Sequence, residues 1–174
     1  MRSKRLQRGA TLIEAIIAMG VLVIGTTGMV ALHRQGTFLV SDARRVTRAT
    51  QFAQDLVNQI ELWDYTDPRL ANADKTNDAD LGDSTYQYER VGTPNADHGE
   101  ADLTLAGTTW TGLPSTLLQA NGMERYWNVA NPDDENANGV PDAARIAVIV
   151  RWPAGRGWHR IVLMTTKVNP ADVR

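Results

Sequence analysis

Cysteine is absent from the 174 residues, which excludes a disulfide clasp, a thiol nucleophile and a thiolate metal site. Histidine is scarce: His33, His98 and His159 are too far apart for metal-ligand spacing, and neither G-x-S-x-G nor H-E-x-x-H occurs. The chain therefore reads as a non-enzyme, with each histidine a surface or strand residue. Proline does not occur before Pro68 and no acid occurs before Glu14. Excess positive charge is missing as well. Of 18 Lys and Arg, four (Arg2, Lys4, Arg5 and Arg8) lie in the first nine residues, which leaves 14 against 20 Asp and Glu. Such a balance argues against a nucleic-acid partner.

What is present begins with that basic start and the apolar run after it. From Ala10 to Leu32 the only charged residue is Glu14. The run has no Ala-x-Ala site after it, so it is unlike a cleaved secretory signal, and any cleavage should precede it. At 1.5 Å per residue, residues 10–32 give about 35 Å of helix, against a hydrocarbon core of about 30 Å. One membrane span is expected. Basic residues before the span and an acidic domain after it predict a cytoplasmic leader and a periplasmic C-terminus. Glu14 would then sit roughly 6 Å into the helix, at a cost of about 1 to 3 kcal/mol that depends on depth. Gly20, Gly25 and Gly28, with Thr26 and Thr27, weaken the helix by about 1 kcal/mol per glycine. They either permit close helix packing in the membrane or allow local unwinding outside it.

Residues 33–63 turn amphipathic. Val46, Ala49, Phe52 or Ala53, Leu56 or Val57, and Ile60 recur at helical spacing, which predicts a helix docked on a sheet and ended by Asp64 and Pro68. Residues 66–83 are polar and acidic, a surface loop. Strands are expected at Tyr86–Val91 and Met123–Val129, and most strongly at Arg145–Trp152 and Trp158–Val168. Those last two would form a hairpin with a five-residue loop, Pro153–Gly157. The fold class is α+β: a long helix on an antiparallel sheet, with residues 64–174 as the globular part. Five tryptophans, Trp63, Trp110, Trp127, Trp152 and Trp158, are expected mainly in the core, and an exposed one would mark an interface.

The leader ending in Gly9, the small Ala10, Glu14 as fifth residue after that glycine, and the amphipathic helix beyond resemble a type IV prepilin. The run Ala10–Gly25 is most similar to PilV-type minor pilins, although Ala10 stands where pilins usually carry Phe. The resemblance covers about the first 60 residues. It implies a leader of residues 1–9, cleavage between Gly9 and Ala10 by a prepilin peptidase, and N-methylation of Ala10. It also implies that Glu14 pairs with the N-terminal amine of a neighbouring subunit, and that Gly25 and Gly28 give the helix flexibility in a filament. The implied fold is that of type IV pilins. The implied function is priming type IVa pilus assembly at the inner membrane and joining the pilus tip, in support of adhesion or twitching motility. Implied partners are other minor pilins, the major pilin, a tip adhesin and the inner-membrane assembly platform. A minor pseudopilin of a type II secretion system is the alternative in the same architecture. A DNA-uptake pilin would need a basic patch that the composition does not suggest.

One further pattern carries chemistry. Residues 134–142 read D-x-N-x-N-G-x-x-D, in which Asp134, Asn136, Asn138 and Asp142, with the carbonyl of Val140, can converge on Ca2+. The pattern resembles the short calcium loops of thrombospondin type 3 repeats and departs from an EF-hand, since Arg145 holds the twelfth position. A solvated Asx-rich turn is the other reading.

Overall fold

A computed structural model of the chain describes residues 11–72, 81, 97–133, 142–155 and 157–170. The chain divides into two units, Met1–Arg45 and Val46–Arg174. One helix, α1 (Leu12–Leu62), supplies the described part of the first unit and the opening segment of the second. Its uninterrupted length is permitted by the absence of proline before Pro68. The helix stops where the Trp63 N–H is shared between the carbonyls of Gln59 and Ile60, both at 3.2 Å. A 3₁₀ turn, Pro68–Leu70, follows, capped by the Asp67 carboxylate accepting from the Arg69 N–H.

In the second unit α1 buries Ala49, Phe52, Ala53, Leu56 and Ile60 on one face. These sit at helical spacing, and each large side chain so buried contributes about 1.5 to 3 kcal/mol. Val46 is exposed, so docking begins at Ala49.

That face packs on a four-stranded antiparallel sheet in the order β1-β2-β3-β4. Its strands are β1 (His98–Gly99), β2 (Glu124–Asp133), β3 (Ala143–Ala154) and β4 (Gly157–Val168). A short helix, α2 (Ser115–Ala120), precedes β2. Side chains alternate across a strand. On the helix side lie Met123, Trp127 and Val129 of β2 or just before it, with Ile146, Val148, Val150 and Trp152 of β3. On the far side Tyr126, Ala130, Ala147 and Ile149 form a second cluster with Leu81. β3 is thus covered on both faces, which is why it reads as a nearly continuous apolar run.

The sequence and the structure differ in three places. The hairpin is tighter than expected: β3 and β4 pair without a register shift to Ala154↔Gly157, so only two residues separate the paired ends. Gly155 has φ +58°, the left-handed conformation that such turns demand. Pro153 is tolerated inside β3 because the ladder alternation turns its nitrogen away from β4. Second, the stretch 66–83 is not all surface, since Arg69, Leu70 and Leu81 are buried. Third, the polar segment around His98 supplies an edge strand, pairing His98 with Trp127 and Gly99 with Tyr126. The expected strand at Tyr86–Val91 lies outside the described residues.

Candidate functional site

In the first unit every described residue is exposed, so the apolar side chains from Leu12 to Val40 find no cover within it. α1 is the one helix among the described residues that is long and apolar enough to cross a membrane. Glu14 lies in its first turn, where a carboxylate is favoured by the unpaired N–H groups and the helix dipole. The helix runs unbroken through Gly20, Gly25 and Gly28. Between the last two, Thr26 Oγ1 donates to Leu22 O at 2.9 Å, and Thr27 Oγ1 donates to Val23 O. These bonds fold both hydroxyls onto the backbone, the arrangement an apolar surrounding requires. Gly9 and Ala10 lie outside the described residues.

In the second unit the polar chemistry gathers where it was not foreseen. The Arg125 side chain is fully buried. It donates through Nε and Nη2 to Glu100 at 3.1 and 2.9 Å, and through Nη1 to Phe52 O at 3.2 Å and Asp55 Oδ2 at 3.3 Å. Asp55 Oδ2 also accepts from the Leu113 N–H at 2.8 Å. One guanidinium thereby joins β2, α1 and the 3₁₀ segment Glu100–Thr104 that follows β1. Gly112 fits beside this group only because it lacks a side chain: a Cβ there would stand 2.4 Å from the Trp110 ring and 2.6 Å from Asp55 Oδ2. A cleft of about 400 Å³ opens above, lined by Glu100, Leu118, Met123, Glu124, Arg125 and Tyr126 among others. Its buried cation is already engaged by two carboxylates and a carbonyl, an arrangement that holds elements together.

A second arginine repeats the device. Arg69 forms a bidentate pair with Asp67 (2.9 and 2.6 Å), donates to Thr109 O at 3.2 Å, and lies 3.9 Å over the Trp63 ring. Burial alone would raise the Asp67 pKa, but hydrogen bonds and charge from Arg69 outweigh it and hold the carboxyl below its usual range. Trp63 and Trp127 pack at 6.1 Å, and the Trp127 indole donates to Arg69 O at 2.8 Å. His98 stacks on Trp127 with its Nε2 2.6 Å from Ala71 O. A carbonyl only accepts, so that nitrogen carries the proton. His98 is a buried core residue, whereas His33 and His159 are exposed.

Sequence did hold one signal for Arg125. It shares strand parity with Met123, Trp127 and Val129, the core face, and a cation there demands a buried acid. Which acids would answer it could not be read locally, because Asp55 and Glu100 lie 70 and 25 residues away.

Of the candidate calcium ligands, Asp134, Asn136, Asn138 and Val140 lie outside the described residues. Asp142 lies just before β3, and its carbonyl accepts from the Asn169 N–H at 2.8 Å. The exit of that loop is thus bound to the end of β4. Set against family models, curated proteins and solved structures, the chain matches none.

Proposed function

We propose that the chain is a minor pilin of PilV type, held in the inner membrane by residues 10–32 with its C-terminal domain in the periplasm. From there it primes type IVa pilus assembly and joins the tip complex with other minor pilins, the major pilin and a tip adhesin. The protein works by assembly and turns over no substrate. The observation that carries this reading is the contrast along α1. Its apolar side chains from Leu12 to Val40 are exposed within their unit, whereas its face from Ala49 to Ile60 is buried against a sheet. An apolar surface of that length calls for lipid or other helices as cover.

Glu14 is the single acid before Asp42. In an apolar surrounding a lone carboxylate is stabilised by a cation, and the amine of a neighbouring subunit's new N-terminus is the partner proposed here. Intact-mass measurement tests the reading. The membrane-extracted protein should begin at Ala10 with one added methyl group, and Gly9→Val should retain residues 1–9. A wild-type chain that still begins at Met1 would overturn it.

A further inference from the structure

Between Glu14 and Asp42 the only Asp, Glu, Lys or Arg is Arg34. It lies on the exposed part of α1 and makes no hydrogen bond or ion pair among the described residues. Arg34 and Phe38 border two grooves, one running back over Val30 and Ala31, the other passing His33, Thr37 and Ser41. The Thr37 hydroxyl is turned onto its own helix, donating to His33 O at 2.9 Å. The guanidinium is therefore the free cationic donor at the level where apolar lining gives way to polar.

Its position along the helix carries a length. Arg34 follows Glu14 by 20 residues, which is about 30 Å at 1.5 Å per residue and matches a hydrocarbon core of about 30 Å. The apolar side chains do not stop at Leu32, because Phe38, Leu39 and Val40 are 77%, 66% and 53% exposed. Residues 12–40 would make about 44 Å of helix, too long for one bilayer, so hydrophobicity alone leaves the depth of insertion undetermined. Arg34 decides it. Insertion as far as Val40 would carry an unpaired cation about 9 Å into the hydrocarbon.

We infer that Arg34 binds the headgroup phosphate of a phospholipid in the leaflet where the span ends, with an acyl chain along Val30 and Ala31, and that this contact sets the depth of α1. A guanidinium presents a planar fork of donors that matches the oxygens of a phosphate. The bilayer itself supplies that anion at the level of Arg34. A second, parallel copy does not, because at the same depth it has no acid between Glu14 and Asp42, and Asp42 lies about 12 Å further along the helix. The inference rests on the membrane reading of residues 10–32 and is independent of pilus assembly.

The test uses the full chain with nitrogen-15-labelled arginine, in nanodiscs of phosphatidylglycerol and phosphatidylcholine and in phosphate-free buffer. The chain has no cysteine, so Gly28→Cys and Gly36→Cys report depth, and a Cβ at either position meets nothing within 4 Å. A water-soluble maleimide should label Gly36→Cys and spare Gly28→Cys. Adding Arg34→Gln should let the helix slide inward and slow the labelling of Gly36→Cys by at least about fivefold. Arg34→Lys keeps a cation and should restore most of the rate. Guanidinium nitrogen should show dipolar dephasing by lipid phosphorus, and Arg34→Gln should remove part of that signal. Labelling of Gly28→Cys as fast as Gly36→Cys would overturn the membrane reading itself. A protected Gly28→Cys, with Gly36→Cys rates that ignore Arg34→Gln or with dephasing that Arg34→Gln leaves unchanged, would overturn the inference alone. So would a depth effect that appears only with two chains in each disc, since Arg34 would then be held by protein.

Discussion

The ammonium of Lys167 donates to the carbonyl of Ile60 at 3.0 Å, so the last strand closes the end of a helix 107 residues earlier in the sequence. The same nitrogen reaches the Glu61 carbonyl at 3.1 Å, and Thr165 Oγ1 donates to Glu61 Oε1 at 2.9 Å. The final turn of α1 contains no basic residue of its own. Lys167 therefore satisfies carbonyls that the helix leaves open and places a cation at the negative end of its dipole. Lys167→Met should lower stability by about 1 to 2 kcal/mol. Denaturant unfolding of the full chain measures this, and an unchanged midpoint would remove Lys167 from the account.

Breaking the Arg125 group should cost more. Glu100→Gln keeps size but leaves the guanidinium with a weaker set of acceptors, for an expected loss of about 2 kcal/mol. Asp55→Asn should cost less, since Asp55 holds the weaker contact at 3.3 Å. The double variant should depart from the sum of the singles by more than about 0.5 kcal/mol, because both acids serve one cation. Strict additivity in that cycle would mean that the two carboxylates act independently.

Asp67 gives a pH signature. Its carboxyl is held below the ordinary 3.8 in the folded chain. The ionised form is therefore favoured by folding, and its stabilisation is complete above about pH 4 and fades as pH drops through the lower, folded value. Asp67→Asn removes this contribution. The stability gap between wild type and variant should be constant near neutral pH and narrow on acidification below about pH 4. A gap that widens under acid would reverse the assignment.

For Glu14 the expectation separates two steps. Glu14→Ala should fractionate with membranes as the wild type does, since the substitution removes a charge that lipid opposes. Incorporation into sheared filaments should fall. Equal incorporation of variant and wild type would leave Glu14 without the proposed amine partner.

Calcium is tested by melting. With a dissociation constant of about 0.1 mM and free calcium of about 1 mM, linkage adds about 1.4 kcal/mol. The full chain should melt higher with calcium than with chelator, and Asp134→Ala or Asp142→Ala should erase the difference. Identical wild-type curves would leave residues 134–142 a solvated turn.

Much of the architecture was legible because it follows from local periodicity. Ala49, Phe52, Leu56 and Ile60 mark a docking face by spacing alone, and the apolar run from Arg145 to Trp152 marks a strand. The hairpin loop was overestimated because Pro153 and Gly157 look like turn residues, yet Pro153 fits a strand position whose nitrogen faces away from its partner. Arg69 was placed on the surface with the polar stretch 66–83, and the burial of His98 was not read from its strand position. Their burial depends on Asp67, Trp63, Trp127 and the Ala71 carbonyl, a set that only the folded chain assembles. The long apolar run, Glu14 and the glycines were conspicuous from the start, because little else breaks an apolar run of that length.

The face from Ala49 to Ile60 is covered by side chains from Trp127 to Trp152, which lie far along the chain. Ribosomes add about 5 to 20 residues per second, so that face emerges roughly 5 to 20 s before its cover exists. Nor can β4 secure the helix end until the chain has been made as far as Lys167. A nascent chain must therefore expose a wet, apolar helix flank until synthesis has passed Trp152. The domain matures as a late event, and its dependence on chaperones should be concentrated in that interval.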